Sequence, residues 1–204
     1  MMNKPKLTLV LGTYKLPELI IPTLEGFISQ TFNDFVVYVV DDNSPADFEI
    51  IQKSKSIVES FNDSRFNYVK NDTNIGVPHV IRKWINLVNT DYFYICGAGD
   101  KLYPDALNSM VSFLEKNPNA SMVHGLEIKP NGSEDVPLFD NTGSYDAKIY
   151  LKSHLNDFAK SKIYSWSQCS AVFRTELFKT WNIPVKPFHY WDYYFHCTYL
   201  LHSK

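Results

Sequence analysis

The stretch 35-FVVYVVDDNS-44 decides the fold. From Phe35 to Val40 every residue is apolar or aromatic, with no alternation. That is the pattern of a strand covered on both faces, as in a parallel sheet. The run stops at Asp41 and Asp42, and Asn43, Ser44 and Pro45 are turn formers that cannot continue it. Parallel α/β sheets bind ligands at the carboxyl ends of their strands, so the two aspartates sit where a site is expected. Adjacent carboxylates repel and are costly to desolvate, which predicts something for them to hold. The plainer alternative makes one a helix N-cap and leaves the other in solvent.

On the N-terminal side, Leu7 to Leu11 reads as a short apolar strand broken by Gly12, Thr13 and Tyr14, and Pro17 opens a helical pattern through Leu19, Ile20, Leu24, Phe27 and Ile28. The break lies at the carboxyl end of that strand. There Gly12 lets backbone approach a ligand, and Tyr14 either offers a ring for stacking or covers the edge of the core. On the C-terminal side the spacing predicts a helix from Phe48 to Phe61 with Asp47 as its cap, a strand from Phe66 to Val69 and a turn at Asn74, Ile75 and Gly76. A helix from Val80 to Val88 bearing Arg82 and Lys83 and a strand from Tyr92 to Cys96 follow. Strands alternating with helices at this spacing define an α/β fold with a doubly wound, mostly parallel sheet.

The fourth strand runs into Gly97, Ala98, Gly99 and Asp100, a low, open shelf beside a carboxylate. A helix from Asp105 through Leu114 comes next, with Asp105 as a helix-start residue facing the dipole. Beyond it lie a strand from Met122 to Ile128 and a Gly-, Asn- and Pro-rich loop from Lys129 to Thr142, of a length associated with function or disorder. A strand from Ser165 to Arg174, a helix from Glu176 to Trp181 and an aromatic-rich helix from Phe188 to Leu201 carrying Asp192 complete the chain. The reading gives one domain over residues 1–204, with no internal repeat.

Composition narrows the classes. With 45% hydrophobic and 21% charged residues in 204, the chain can bury a substantial core. A formal net charge of −2 and no Lys/Arg run give no argument for nucleic acid. Cys96, Cys169 and Cys197 have no metal-type spacing and leave one unpaired in any disulfide scheme, which fits a reducing compartment. No stretch has the length of a transmembrane helix, and the apolar run near the N-terminus is too short for a signal peptide. His79, His154, His196 and His202 share no metal-ligand spacing.

In order, LVLGTYKLPELI, SQTFNDFVVYVVDDNS, TNIGV, YFYICGAGDKLYPDAL, CSAVFRTELF and WDYYF resemble an inverting glycosyltransferase of family 2 with the GT-A fold, over nearly the whole chain. The resemblance implies a nucleotide-sugar donor, with Tyr14 stacking on the base, Asp42 accepting a hydrogen bond from the imide of a uracil or thymine, and Gly12 and Thr13 supplying backbone contacts. The family's Asp-x-Asp metal motif falls on Gly97, Ala98 and Gly99, so only the trailing Asp100 remains as a ligand for manganese or magnesium. Glycine has no side chain to give a hard cation. Three outcomes stay open: Asp100 reaches the ion alone, Arg82 or Lys83 neutralises the diphosphate without metal, or the donor site is degraded. Asp192 matches the catalytic base best; another register would put the base at His189 or Tyr190.

Other residues keep two readings each. His124 either touches the sugar or is a satisfied strand-end histidine, and Trp166, Tyr190 and Trp191 form either an acceptor platform or a hydrophobic cluster. The implied activity is transfer from a uridine or thymidine diphosphate sugar to a carbohydrate or lipid-linked glycan acceptor, in polysaccharide or glycan assembly on the cytoplasmic side, with peripheral contact to the membrane. The chain stops soon after the Asp192 helix, where many members continue, so a minimal enzyme and a C-terminally truncated one are both readings. A competing class is an inactive nucleotide-sugar-binding module, favoured by Gly97 and Gly99. A nucleotidyltransferase would carry a Gly-rich phosphate loop with a basic residue after the first strand, and Lys15 is the only candidate for that residue.

Overall fold

Along the first strand, β1 (Leu7–Thr13), Leu9 and Leu11 enter one hydrophobic layer and Val10 the other, and all three are fully buried. Period-two side chains buried on both faces are what the unalternating apolar runs require. The computed structural model describes residues 4–44, 48–125, 146 and 168–183, together with Phe195, Tyr199 and His202, which are helical. The remaining strands are β2 (Phe35–Asp41), β3 (Phe66–Lys70), β4 (Tyr92–Gly97), β5 (Met122–His124) and β6 (Ala171–Arg174). They form one sheet in the order β3-β2-β1-β4-β6-β5.

The first four strands of that order are parallel. β6 runs antiparallel to β4, and β5 antiparallel to β6. From β1 the chain winds through β2 to β3 and then returns to place β4 on the other side of β1. The winding therefore reverses between β1 and β4, the place where open α/β sheets present a ligand crevice at their carboxyl edge.

Helices cover both faces. α1 (Ile20–Ile28), entered through a 3₁₀ turn at Pro17–Leu19, packs Ile20, Leu24 and Phe27 on the same face as α2 (Phe48–Ser60) and α4 (Ala106–Lys116). α3 (Val77–Leu87) buries Val80, Ile81, Trp84 and Ile85 on the opposite face, joined by Phe178 of α5 (Thr175–Thr180), Trp181, Phe195 and Tyr199. Phe173 and Phe178 meet edge to face at 5.0 Å between centroids, and Trp181 meets Phe195 at 4.7 Å. Such pairs add about 0.5–1.5 kcal/mol each beyond their burial.

Four sequence expectations need correction. β1 does not break at Gly12: it continues through Thr13, because Gly12 pairs with both Val40 and Gly97, and Thr13 with Asp41. α3 begins at Val77 rather than Val80, since Pro78 occupies an early position where a missing N–H costs nothing. β5 ends at His124, and residues 126–128 of the expected strand lie outside the described residues. β6 starts only at Ala171, after a 3₁₀ turn at Gln168–Ser170. Asp47, the 129–142 loop, Trp166, His189, Tyr190, Trp191 and Asp192 also lie outside the described residues.

Candidate functional site

Neither plain reading of Asp41 and Asp42 holds, because both carboxylates are buried, Asp41 completely and Asp42 at 8% exposure. Asp41 is structural. Its Oδ1 accepts the Ser44 N–H at 2.7 Å and its Oδ2 the Tyr68 hydroxyl at 2.9 Å. Burial, reinforced by that bond to Asp41, raises the Tyr68 phenol well above its ordinary value. Asp42 instead gathers the segment after β3. Its Oδ1 accepts Asn71 Nδ2 at 2.9 Å and the Ile75 N–H at 3.0 Å, and its Oδ2 accepts the Gly76 N–H at 2.7 Å. Gly76 has a φ of 78°, a conformation that favours glycine.

Beside Asp42, the end of β1 is tied in on both sides. The Thr13 carbonyl accepts the Asp42 N–H at 3.1 Å, and the Gly12 carbonyl accepts the Ala98 N–H at 3.0 Å. Tyr14 follows immediately and is 42% exposed, with the Lys15 ammonium 4.9 Å from its ring centroid. Lys15 has a φ of 65° and donates its N–H to Ser44 Oγ at 2.9 Å, so the β1 and β2 loops are bonded to each other. Tyr14 and Asp42 therefore flank one end of the crevice.

The shelf after β4 forms the other end. β1 separates β2 from β4, so two strand spacings, about 10 Å, lie between the carboxyl ends bearing Asp42 and Asp100. Asp100 folds back so that its Oδ2 accepts the Gly97 N–H at 2.9 Å. Gly99 has a φ of 105° and donates its N–H to Thr23 Oγ1 of α1 at 3.0 Å. A Cβ at Gly97 would meet Asp100 Oδ2 at 3.6 Å, which is ordinary contact; at Gly99 it would meet Leu19 Cδ1 at 3.7 Å, but the backbone there is strained for any side chain. No three His, Cys, Asp or Glu side chains among the described residues are grouped to hold a metal ion.

Sequence reasoning missed what fixes this shelf. Gln30, at 4% exposure, donates Nε2 to the Gly26 carbonyl at 2.9 Å and the Tyr103 carbonyl at 2.7 Å, while its Oε1 accepts the Leu107 N–H at 3.0 Å. Next to it, the Thr31 N–H donates to the Pro104 carbonyl at 2.8 Å, and Thr31 Oγ1 donates to Asp105 Oδ1 at 2.8 Å. Asp105 stands at the α4 N-cap, but its carboxylate serves side chains rather than helix N–H groups. Hydrogen bonds from Ser109, Thr31 and Asn108 lower its pKa. The SQTF motif is thus a bracket for the segment that carries Asp100. A polar pair at a helix end is read in sequence as a loop, and only its place in the motif hinted at more.

The other residues singled out are separated by the fold. Lys83 donates to Asn71 Oδ1 at 2.7 Å and so joins Asp42 through Asn71, whereas Arg82 reaches Asn182 Oδ1 at 3.5 Å. The two line an open depression of about 580 Å³ with Ile75, His79 and Asn86. His124 Nε2 lies 2.8 Å from Ser170 Oγ, as a satisfied strand-end histidine should. Cys96 is buried under the shelf, where burial first, then Cys169 and Asp100, push its thiol well up. Only the thiolate is nucleophilic. Iodoacetamide at about pH 8 is therefore expected to leave Cys96 unmodified in the native protein and to label it in the denatured one, as read by peptide mass spectrometry.

A mostly parallel, doubly wound sheet whose strand order reverses between β1 and β4, with Asp42 and Asp100 following the carboxyl ends of β2 and β4, defines a domain of the open α/β class. Residues 8–181 match Glycosyl transferase family 2, and the chain belongs to that family. It is 28% identical over 173 residues to the uncharacterized glycosyltransferase MJ1057 of Methanocaldococcus jannaschii, covering 79% of this chain and 58% of that one. It is 22% identical over 186 residues to the putative colanic acid biosynthesis glycosyl transferase WcaA of Escherichia coli K12, covering 87% of this chain and 63% of that one. The chain thus spans about three-fifths of these curated relatives. Its fold matches S. aureus TarS 1-349 in complex with UDP-GlcNAc, with a TM-score of 0.74 and 19% identity over 97% of this chain and 54% of that one. It also matches the mannosyltransferase PcManGT of Pyrobaculum calidifontis in complex with GDP-Man and Mn2+, with a TM-score of 0.58 and 19% identity over 88% of this chain and 47% of that one. The sheet is the GT-A arrangement of these structures. No helix among the described residues is long and apolar enough to cross a membrane.

Proposed function

We propose that this chain is the donor-binding and catalytic domain of an inverting glycosyltransferase, which moves a sugar from a UDP- or dTDP-sugar to a carbohydrate or lipid-linked glycan acceptor. The setting is polysaccharide or glycan assembly at the cytoplasmic face of a membrane. One observation carries the reading: Tyr14 and a buried, still incompletely occupied Asp42 flank one end of the crevice while Asp100 stands at the other. An aromatic face and a carboxylate suit a pyrimidine base, and the span between the ends suits the ribose and diphosphate.

The residues present fit a metal ion that arrives with the donor rather than one the chain holds by itself. Magnesium-type ions take one or two carboxylates and complete their shell with substrate phosphate and water, and Asp100 supplies one. Such an ion, when bound, would offset the charge that develops on the leaving diphosphate. Lys83 is engaged by Asn71 at 2.7 Å, which favours an ion held by Asp100 over Lys83 as the charge that meets the diphosphate, whereas Arg82 is exposed and makes only a long, 3.5 Å contact to Asn182 among the described residues. Gly12 and Thr13 place Tyr14 and supply backbone contacts to the nucleotide, while their carbonyls also tie in the Ala98 and Asp42 N–H groups, and Gly99 leaves the shelf low. Asp192 is the base: it takes the proton of the acceptor hydroxyl as that oxygen bonds to the anomeric carbon and the bond from that carbon to the diphosphate oxygen breaks with its electrons. Inversion needs one base and no covalent intermediate.

Calorimetric titration with uridine diphosphate, with and without manganese, tests the donor site. Manganese is expected to strengthen binding, and Asp100→Ala to lose that gain, by roughly tenfold or more for one charge-assisted contact. Tight binding indifferent to manganese would reject the role of Asp100. Gly97 and Gly99, which bring no carboxylate to the shelf, favour a second reading, a binding module without transfer, which predicts uridine diphosphate binding but no sugar transfer to any glycan acceptor.

A further inference from the structure

The group that reads the base is itself held by a relay the family resemblance did not assign. Asn71 is 2% exposed and lies between the Asp42 carboxylate and the Lys83 ammonium. An ammonium only donates, so the Asn71 oxygen must face Lys83 and its NH₂ must face Asp42. With the amide turned over, its oxygen would oppose the carboxylate and its NH₂ the ammonium. Asp42, which only accepts, and Lys83, which only donates, thereby hold the buried amide in one orientation from its two sides, with Lys83 acting from an exposed helix position.

The count on Asp42 follows. A carboxylate offers about four acceptor positions. Asn71 and the Ile75 N–H occupy both on Oδ1, and the Gly76 N–H occupies one on Oδ2. Among the described residues one position on Oδ2 remains, and it can only accept. A base whose pairing edge presents an N–H at its centre, as uracil, thymine and guanine do, can satisfy it. Cytosine and adenine present a lone pair there and are repelled.

We propose that Asn71 and Lys83 are positioning residues for nucleobase choice: the Lys83–Asn71–Asp42 relay leaves one acceptor position on Asp42 that selects an imide N–H. This rests on the donor reading above. The relay differs from a diphosphate contact by Lys83, because it acts on the base edge alone.

The test compares uridine diphosphate with its N3-methyl analogue, which lacks the imide N–H, by calorimetry on the intact chain. The wild type is expected to bind the methylated nucleotide about tenfold or more weakly, the loss of a hydrogen bond to a charged group. Lys83→Met, on an exposed helix position, is expected to shrink that ratio to about threefold or less, and Lys83→Arg, which can still donate to Asn71, to restore it. Asn71→Ala is the stronger variant, its folding checked by circular dichroism, and is expected to shrink the ratio further. An equal weakening of both nucleotides in Lys83→Met, with the ratio kept, would overturn the relay and return Lys83 to the diphosphate. A wild type that binds both nucleotides alike would overturn base reading by Asp42 while leaving the donor site standing. A wild type that binds no uridine, thymidine or guanosine diphosphate would instead overturn the donor reading itself.

Discussion

Asp192→Asn is expected to lower sugar transfer by about 10²- to 10⁴-fold, the usual worth of a general base, while calorimetric affinity for uridine diphosphate stays unchanged. The asparagine keeps the size and polarity of the side chain but cannot take the acceptor's proton. Binding and chemistry therefore separate in one variant, which a structural role for Asp192 would not allow. Retained transfer in Asp192→Asn, together with loss in His189→Ala or Tyr190→Phe, would move the base to the alternative register.

Gln30→Ala is expected to cost about 2 kcal/mol, since it leaves the buried Leu107 N–H without its acceptor, while the Gly26 carbonyl keeps the Ser29 hydroxyl and the Tyr103 carbonyl keeps the Ala106 N–H. For a chain of this size that is a fall of roughly 4–8 °C in the thermal midpoint. Gln30→Glu separates the two halves of the bridge: it keeps an acceptor for Leu107 but places carboxylate oxygens against the Gly26 and Tyr103 carbonyls, and should destabilise at least as much. The measurement is thermal unfolding by circular dichroism. A fall of under about 2 °C for Gln30→Ala would show that water replaces the bridge and that the shelf does not depend on it.

Much of the fold is legible because its cause is local. The apolar runs at Leu7, Phe35 and Tyr92 and the helices between them follow from periodicity, and those strands do pair in parallel. The insertion of β6 between β4 and β5 does not follow, because nothing in AVFR states which neighbour its backbone will pair with. The site divides in the same way. Asp42 announces itself as a carboxylate at a strand end, but two of its three partners are backbone N–H groups of Ile75 and Gly76, which any sequence provides and only a fold can aim. Gly76 after Asn74 signalled the turn, not what the turn would clasp. Gln30 was hidden for a related reason: an amide looks like a surface residue until three backbone groups from separate elements converge on it.

The two glycines of the shelf differ in what they permit, and that difference constrains how the lineage can change. At position 97 a side chain fits, but a second carboxylate there would grow toward Asp100, with its Cβ starting 3.6 Å from that oxygen. The two charges would repel unless a cation lay between them. At position 99 the backbone must first be rebuilt, because its φ of 105° resists any side chain. Adding carboxylates to the shelf is thus easier at 97, where a single substitution sets a second acid beside Asp100, than at 99, where the loop backbone must change as well.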